Sequence, residues 1–182
     1  FNLRPWTALT LSATPTCLRS RTIAQYLATE PDATATATFE SRYVFGELEQ
    51  TEWSIPLRVN LVLTPRLSLQ LYTQALLSTG DYPTVRELLA PRTYDFPVYG
   101  TDVGTIARDP VLPLYDIDPD GVGPAPSFRL PVPDFNFKSL RVNAVLRWEL
   151  RPGSAAYVVW TQRRQDGRNP GSHAFGRDLG DL

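Results

Sequence analysis

The sequence predicts an all-β protein made of antiparallel strands, and three observations carry this prediction. Large apolar residues recur at every second position over long segments, which is the period of a strand and not that of a helix. Pro, Gly, Asp and Thr bound these segments, as expected for strands that end in turns. No stretch approaches the 18 or more consecutive apolar residues of a membrane-spanning helix, so a helical membrane protein is excluded.

The predicted strands follow directly from this alternation. They cover residues 6–13, 22–28, 42–48, 52–63, 67–77, 92–99 and 127–130, with two further long strands between residues 140 and 164. The single helical candidate is the segment 83–89, which is too short to organise a fold.

The segment SIPLRVNLVLTPRLSLQLYTQALL predicts the first long hairpin. A short connection at residues 64–66 joins its two strands and brings Leu63 opposite Leu67. One face then collects apolar side chains, with Leu61 and Leu69 among them. The opposite face collects polar side chains, among them Arg58, Asn60, Gln70 and Gln74.

The segment LRVNAVLRWELRPGSAAYVVWTQRR predicts a second hairpin, with its turn centred on Pro152 and Gly153. We expect this turn to set three cross-strand pairs on one face: Leu150 with Ala155, Trp148 with Tyr157, and Leu146 with Val159. The other face would carry Asn143, Arg147, Glu149, Trp160 and Gln162.

Strand length separates a membrane barrel from an ordinary sheet. The predicted strands run to about 9 to 11 residues, the length that a tilted strand needs to cross a bilayer, whereas ordinary strands average about 5 to 6. The turns are short, while the segments 79–91 and 100–126 are long and polar, as in outer-membrane barrels. The predicted fold is therefore an antiparallel outer-membrane-type β-barrel segment, with residues 1–182 forming a single barrel-like domain.

In such a barrel the two faces of the sheet would meet different surroundings. Lipid-facing or girdle positions would be Leu61, Leu69, Leu146, Trp148 and Tyr157, with the two aromatic residues at the membrane interface. Lumen-facing positions would be Arg58, Asn60, Gln70, Gln74, Asn143, Arg147, Glu149 and Gln162. A soluble β-sandwich is the alternative, because alternation alone does not distinguish a lipid-facing surface from a core.

The reactive residue types exclude several functions. The chain carries 18 basic and 19 acidic residues, spread thinly along it, so no nucleic-acid partner is expected. Cys17 and His173 are the single cysteine and the single histidine, so no disulfide, zinc site or Ser-His-Asp arrangement can be completed. Glu47, Glu49 and Glu52 are available carboxylates, but their spacing identifies no glycosidase pair. We predict no catalytic residue, and whether the protein is an enzyme stays open.

The motif DIDPDG is the sharpest local signal for a ligand. Asp116, Asp118, Asp120 and Gly121 reproduce the opening of a calcium-binding loop, in which alternate carboxylates converge and glycine permits the turn. A complete loop would place Glu where Ser127 stands, and the surrounding prolines exclude a helix-loop-helix. Calcium is the one cofactor that the sequence suggests, and an Asp-rich surface turn is the alternative.

Four segments resemble a known bacterial family. They are RYVFGELEQ (42–50), RVNLVLTPRLSLQLYTQALLSTGDY (58–82), ELLAPRTYDFPVYG (87–100) and FNFKSLRVNAVLRWELRPGSAAYVVWTQRR (135–164). Together they are similar to the C-terminal part of proteins that carry the domain of unknown function 5916, and the last segment is the most specific. Ala75-Leu76 departs from the Gln-Pro-like continuation of the family.

The resemblance implies an outer-membrane-type β-barrel, commonly placed behind a module similar to family-nine carbohydrate-binding domains. It also implies that this chain is a fragment, with the upstream module and the closing strands absent. The expected function is that of a bacterial outer-membrane anchor, in contact with membrane lipid, for a cell-envelope protein that binds or hydrolyses carbohydrate through the missing module. The alternatives are a pore or importer for saccharides and a soluble sugar-binding β-sandwich.

Overall fold

The structure, a computed structural model, describes residues 1–168 and 170–182. Its strands are β1 (Asn2–Trp6), β2 (Leu9–Ala13), β3 (Thr16–Pro31), β4 (Ser41–Thr64), β5 (Leu67–Glu87), β6 (Thr105–Arg108), β7 (Leu114–Asp118), β8 (Phe128–Pro131), β9 (Phe135–Arg151) and β10 (Ser154–Asp166). The helices are a 3-10 turn at Thr36–Thr38 and α1 (Phe175–Gly180). The sheets are antiparallel, which confirms the predicted all-β class. Among the described residues no helix is long and apolar enough to cross a membrane.

The long strands exceed the predicted length. Strand β4 has 24 residues and β5 has 21, whereas the sequence suggested about 9 to 11. The predicted strands 42–48 and 52–63 are one continuous strand, because no Gly or Pro stands between them to end the extended backbone. The predicted strand 6–13 is instead divided, and Thr7 and Ala8 form a turn between β1 and β2.

The helix predicted at residues 83–89 is wrong, because residues 83–87 are the end of β5. Val85 is β-branched and buried in a hydrophobic core, which favours the extended backbone. The predicted strand 92–99 is also wrong, since that segment contains only two isolated bridges, Val98–Arg86 and Tyr99–Val103. The loop predicted at 100–126 contains the short strands β6 and β7, whose four and five residues gave too weak an alternation to identify.

Residues Phe1–Arg19, Thr51–Thr79 and Phe135–Leu182 form one compact unit, called the first unit below. Its hydrogen-bonded strand order is β1-β2-β4-β5-β9-β10. Tight turns lie at residues 65–66 and 152–153, and the Glu149 N–H donates to the Arg66 carbonyl at 2.7 Å. The order ends at β1 on one side and at β10 on the other, so it does not close on itself in the described part of the chain.

The register of β9 and β10 differs by one residue from the predicted one. Ser154 lies opposite Arg151, but Ala155 lies opposite Glu149, so that Leu150 is an extra residue in a β-bulge. As a result Trp148 faces Ala156, and Tyr157 faces Arg147. The predicted pairs Leu150–Ala155, Trp148–Tyr157 and Leu146–Val159 are therefore wrong, because a shift of one residue exchanges the two faces of a strand.

Residues Ser20–Gln50 and Gly80–Asp134 form the second unit. In it β3 pairs with β4, and β6, β7 and β8 form a separate three-stranded sheet in the order β6-β7-β8. A hydrophobic core is built from Val44, Val85, Tyr99, Ile117 and Leu130. This unit therefore has the packed interior that an ordinary globular domain requires.

A buried ion network stands beside this core. The Arg42 guanidinium donates to Asp32 Oδ2 at 2.5 Å and to Glu87 Oε2 at 2.7 Å. The Tyr99 hydroxyl also donates to Glu87 Oε2, at 2.7 Å, and burial together with this carboxylate raises the pKa of Tyr99. Burial alone would raise the pKa of Asp32, but hydrogen bonds from Thr34 and Arg42 outweigh it and hold that pKa below its ordinary value of 3.8.

Arg42→Met is expected to lower the free energy of unfolding by about 3 to 5 kcal/mol, since it leaves two buried carboxylates without their cation. Arg129→Met is the matched control, because the side chains of Arg129 and of its partner Asp116 are 62% and 49% exposed and exposed pairs contribute at most about 1 kcal/mol. Pulse proteolysis across a urea series measures both. Equal losses of unfolding free energy in the two variants would contradict the view that the buried ion network stabilises the fold more than an exposed ion pair does.

The same network predicts that the stability of the folded protein depends on pH. The pKa of Asp32 is lower in the folded protein than its ordinary 3.8, so its stabilising contribution is present above that value. This contribution is lost as the pH falls through the lower folded-state pKa. The destabilisation caused by Asp32→Asn, measured by the same urea series, should therefore shrink as the pH is lowered below about 4.

Candidate functional site

The sheet of the first unit has two faces of opposite character. Between β2 and β4, Leu9 and Leu11 lie opposite Leu61 and Val59, while Thr10 and Ser12 lie opposite Asn60 and Arg58. Residues that are directly opposite in an antiparallel pair share a face. Leu61 therefore belongs to an apolar face, and Arg58 and Asn60 belong to a polar face.

The observed register continues this division across β9 and β10. The apolar face receives Val142, Ala144, Leu146 and Trp148 with their partners Gln162, Trp160, Val158 and Ala156. The polar face receives Arg141, Asn143, Val145, Arg147 and Glu149 with their partners Arg163, Thr161, Val159, Tyr157 and Ala155. Tyr157, predicted on the apolar face, therefore lies on the polar face, and Gln162, predicted on the polar face, lies on the apolar face. The bulge at Leu150 causes both exchanges.

Four of the predicted polar residues converge on one cavity. Arg58, Asn60, Gln70 and Asn143 line an open cavity of about 320 Å³ on the polar face, together with Leu71, Tyr72 and Val145. The Arg58 guanidinium carbon lies 5.3 Å from the centroid of the Tyr72 ring, a cation–π contact that orients the arginine. The sequence predicted these side chains to share a face, and the structure adds that three neighbouring strands, β4, β5 and β9, supply them.

A second, smaller cavity on the polar face contains the predicted residue Gln74. It measures about 210 Å³ and is lined by Gln74, Leu76, Phe137, Ser139, Arg141, Arg163 and Gln165. The Gln74 side-chain amide donates to the Ser54 hydroxyl at 3.3 Å and accepts from the Tyr72 hydroxyl at 3.4 Å. Since Tyr72 lines the first cavity and Gln74 the second, this hydrogen bond connects the two.

Arg147 and Glu149, also predicted on the polar face, lie near the tight turns. The Arg147 guanidinium donates to Glu149 Oε2 at 3.2 Å, so the two charges pair with each other. Thr161 and Asn143 form the corresponding neutral pair farther along the hairpin, with a hydrogen bond of 3.0 Å. These contacts support the observed register, since each joins side chains that the register places on one face.

The apolar face is exposed over much of the hairpin. Trp148 is 53% exposed, Val158 63% and Trp160 52%. Leu61, Leu69 and Leu146 are half-buried. Burying large apolar side chains is a main source of folding free energy, so a contiguous exposed set of this kind indicates a surface that contacts something else.

One end of the same face is covered by the C-terminal segment, which the sequence analysis did not predict as an element. Phe175 of α1 packs edge to face on Trp53, with ring centroids 5.3 Å apart. Asp178 is fully buried and accepts from the Asn136 side-chain amide at 3.0 Å. Lys138 is also fully buried, and its ammonium lies 3.4 Å from Asp166. A helix of six residues is too short to show the periodic pattern by which helices are recognised in a sequence.

The calcium motif forms a turn in which its carboxylates accept backbone hydrogen bonds. Asp118 accepts from the amides of Asp120 and Gly121, and Asp120 accepts from the amides of Gly123 and Ala125. Asp116 instead pairs with Arg129 at 2.8 Å. Gly121 has φ 75°, as the motif requires of its glycine. No group of three or more metal-ligating side chains was found within residues 1–168 and 170–182, and the calcium hypothesis stays a prediction.

The carboxylates Glu47 and Glu49 and the single histidine, none of which the sequence predicts to be catalytic, are engaged in other contacts. Glu47 is buried and forms ion pairs with both Arg21 and Arg86. Glu49 lies 3.9 Å from Arg21. The His173 ring lies 3.7 Å from the buried Asp178. Glu47 is therefore held as a structural anion, and these positions show no arrangement of nucleophile and base.

Comparison of the chain with protein-family models, with curated proteins and with solved structures gives no match. The fold defines the class of the protein, which is all-β with antiparallel sheets. The sheet of the first unit carries two cavities on its polar face, and its apolar face is exposed.

Asp118→Ala is expected to lower the free energy of unfolding by about 1 to 2 kcal/mol, because it removes an acceptor for two backbone amides. Asp118→Asn retains an acceptor oxygen and should lose less. Thermal unfolding of both variants, with and without millimolar calcium, tests the turn and the ion together. If calcium stabilises the wild type but not Asp118→Ala, the metal hypothesis is supported. If calcium stabilises neither protein, the motif is an Asp-rich surface turn without a bound ion.

Proposed function

We propose that the first unit is part of an outer-membrane-type β-barrel of a bacterial cell-envelope protein, with its apolar face against lipid. The observation that carries the proposal is the apolar face of β9 and β10. From Val142 to Trp148 this face and its partners on β10 contain no charged side chain. Charged residues on a lipid-facing strand are costly near the middle of the bilayer, so an uncharged band is what lipid contact requires.

The height of this band is compatible with the proposal. Val142 and Trp148 are six residues apart along β9, which corresponds to about 20 Å at about 3.3 Å per residue. A strand tilt of about 40° reduces that span to about 15 Å along the membrane normal, which lies within the apolar band of about 25 Å of such barrels, and Arg164, the partner of Leu140, lies beyond the band. Trp148 then stands close to the tight turn, where an aromatic girdle is expected.

The polar face would line the lumen in this arrangement. Arg58, Asn60 and Asn143 would then contact water inside the barrel instead of hydrocarbon, which removes the cost of placing them within the membrane. The paired charges of Arg147 and Glu149 would lie on the same side. This is the polar-in, apolar-out alternation of outer-membrane strands.

Leu61→Arg and Leu146→Arg are expected to impair membrane assembly far more than Asn60→Arg. A charge on the lipid face near mid-bilayer costs about 2 to 4 kcal/mol, while a charge in the lumen is solvated. The folded fraction in a heat-modifiability gel shift, measured in liposomes, gives the comparison. Equal folded fractions for the three variants would contradict the assigned faces, and a protein that stays monomeric and folded without detergent would favour the soluble β-sandwich.

A second function is favoured by the cavities of the polar face: passage of a saccharide through the lumen. Arginine, tyrosine and amide side chains supply the donors and acceptors that sugar hydroxyls need. The simpler proposal is an anchor, in which the barrel holds a glycan-active module at the membrane and conducts nothing.

Conductance distinguishes the pore from the anchor. A pore should give single-channel steps in planar bilayers, and Asn143→Trp, which fills the larger cavity, should reduce their size. Ala144→Trp is the matched control, because it introduces the same indole side chain on the apolar face. Absence of channel steps in the wild type would favour the anchor. Equal effects of both substitutions would show that the larger cavity does not line the conducting path.

A further inference from the structure

Two arginines stand directly opposite each other on the polar face. Arg141 of β9 and Arg163 of β10 are register partners, and both line the smaller cavity. Like charges at directly opposite positions of an antiparallel pair destabilise the sheet. The pair therefore has a cost, which an anion bound between the two guanidinium groups would remove.

The surroundings of the two arginines do not offset this cost. The other side chains that line the cavity are Gln74, Leu76, Phe137, Ser139 and Gln165, none of which is acidic. Among the residues that the structure describes, neither Arg141 nor Arg163 forms an ion pair with a carboxylate. Both residues are exposed, so their guanidinium groups are accessible to a solute.

The larger cavity extends the site on the same face. Asn143 follows Arg141 by two residues on β9, which places it about 7 Å farther along the strand. The lining of this cavity adds Arg58, two asparagines and a glutamine, again without an acidic residue. An amide side chain both donates and accepts, so it suits hydroxyl groups, whereas the planar guanidinium suits a carboxylate or a phosphate.

We infer that the polar face binds an anionic sugar, with its acidic group between Arg141 and Arg163 and its hydroxyl groups toward Asn143 and Asn60. Carboxylate and phosphate share the chemistry that this arginine pair recognises. The inference gives the saccharide function proposed above its substrate class. The binding itself requires only the polar face, whether or not the apolar face meets lipid.

The site predicts opposite effects of one substitution on binding and on stability. Arg141→Gln or Arg163→Gln should weaken the binding of the preferred acidic sugar about tenfold to a hundredfold, because a charge-assisted hydrogen bond is lost. The same substitutions should raise the urea midpoint of the ligand-free protein, since they remove the repulsion between like charges. If these arginines had a merely structural role, the same substitutions would lower the urea midpoint.

The test is isothermal titration calorimetry of the wild type and variants with galacturonate, galactose 6-phosphate, neutral galactose and inorganic phosphate. Arg151→Gln is the matched control, as it removes an exposed arginine from the same strand outside both cavities. We expect at least one acidic sugar to bind more tightly than galactose and inorganic phosphate, and the preferred one identifies the acidic group. The control should bind like the wild type.

Equal binding of galactose, no binding of either acidic sugar, or unchanged binding after Arg141→Gln would overturn the inference. Inorganic phosphate binding as tightly as the acidic sugars would also overturn it, because the hydroxyl groups would then contribute nothing. The titrations are run in detergent and in detergent-free buffer, while the gel shift is measured on the same preparations. Failure of membrane assembly with intact binding contradicts the lipid proposal alone, and the reverse result contradicts the sugar site alone.

Discussion

The structure of the first unit depends on one constraint, the pairing of backbone groups between antiparallel strands. This pairing sets residues of neighbouring strands directly opposite each other, so the character of a face passes from one strand to the next. Thr10 therefore meets Asn60, and Asn143 meets Thr161. The larger cavity exists because β4, β5 and β9 each contribute polar side chains to the same side, and the smaller one is lined in the same way by β5, β9 and β10. No residue of the site needs a loop to position it, since the strand ladder alone brings the side chains together.

The second unit achieves stability in a different way. It buries Val44, Ile117 and Leu130 in a core, and beside this core it buries a guanidinium between two carboxylates. Removing charges from water is costly, and the paired geometry together with the Tyr99 hydroxyl compensates for it. In the first unit the apolar residues of β9 and β10 have no comparable covering among the described residues, and only the end near α1 is packed. The contrast between a packed unit and an uncovered apolar sheet is the physical basis for proposing lipid as its environment.

Much of the fold could be predicted from alternation, because long strands repeat the same signal many times. The all-β class, the two turns and the shared face of Arg58, Asn60 and Gln70 all follow from it. The segment 83–89 was misread, since its tertiary packing through Val85 outweighs local preference. Lys138 and Asp178 were missed because their burial depends on a short C-terminal helix that has no periodic signal. Which strands supply the cavity could not be predicted either, since pairing between strands distant in sequence leaves no local pattern.

The bulge at Leu150 shows how one residue can decide the chemistry of both faces. In an unbulged hairpin Arg163 would lie opposite Val142, on the apolar face, and Tyr157 would lie opposite Trp148. The extra residue shifts the partner strand by one position, so Arg163 moves beside Arg141 and Trp160 moves beside Ala144. The same shift creates the arginine pair on the polar face and moves Arg164 opposite Leu140, beyond the stretch from Val142 to Trp148. The uncharged stretch of the apolar face and the cationic site of the polar face are, in this hairpin, two results of a single irregularity in the strand ladder.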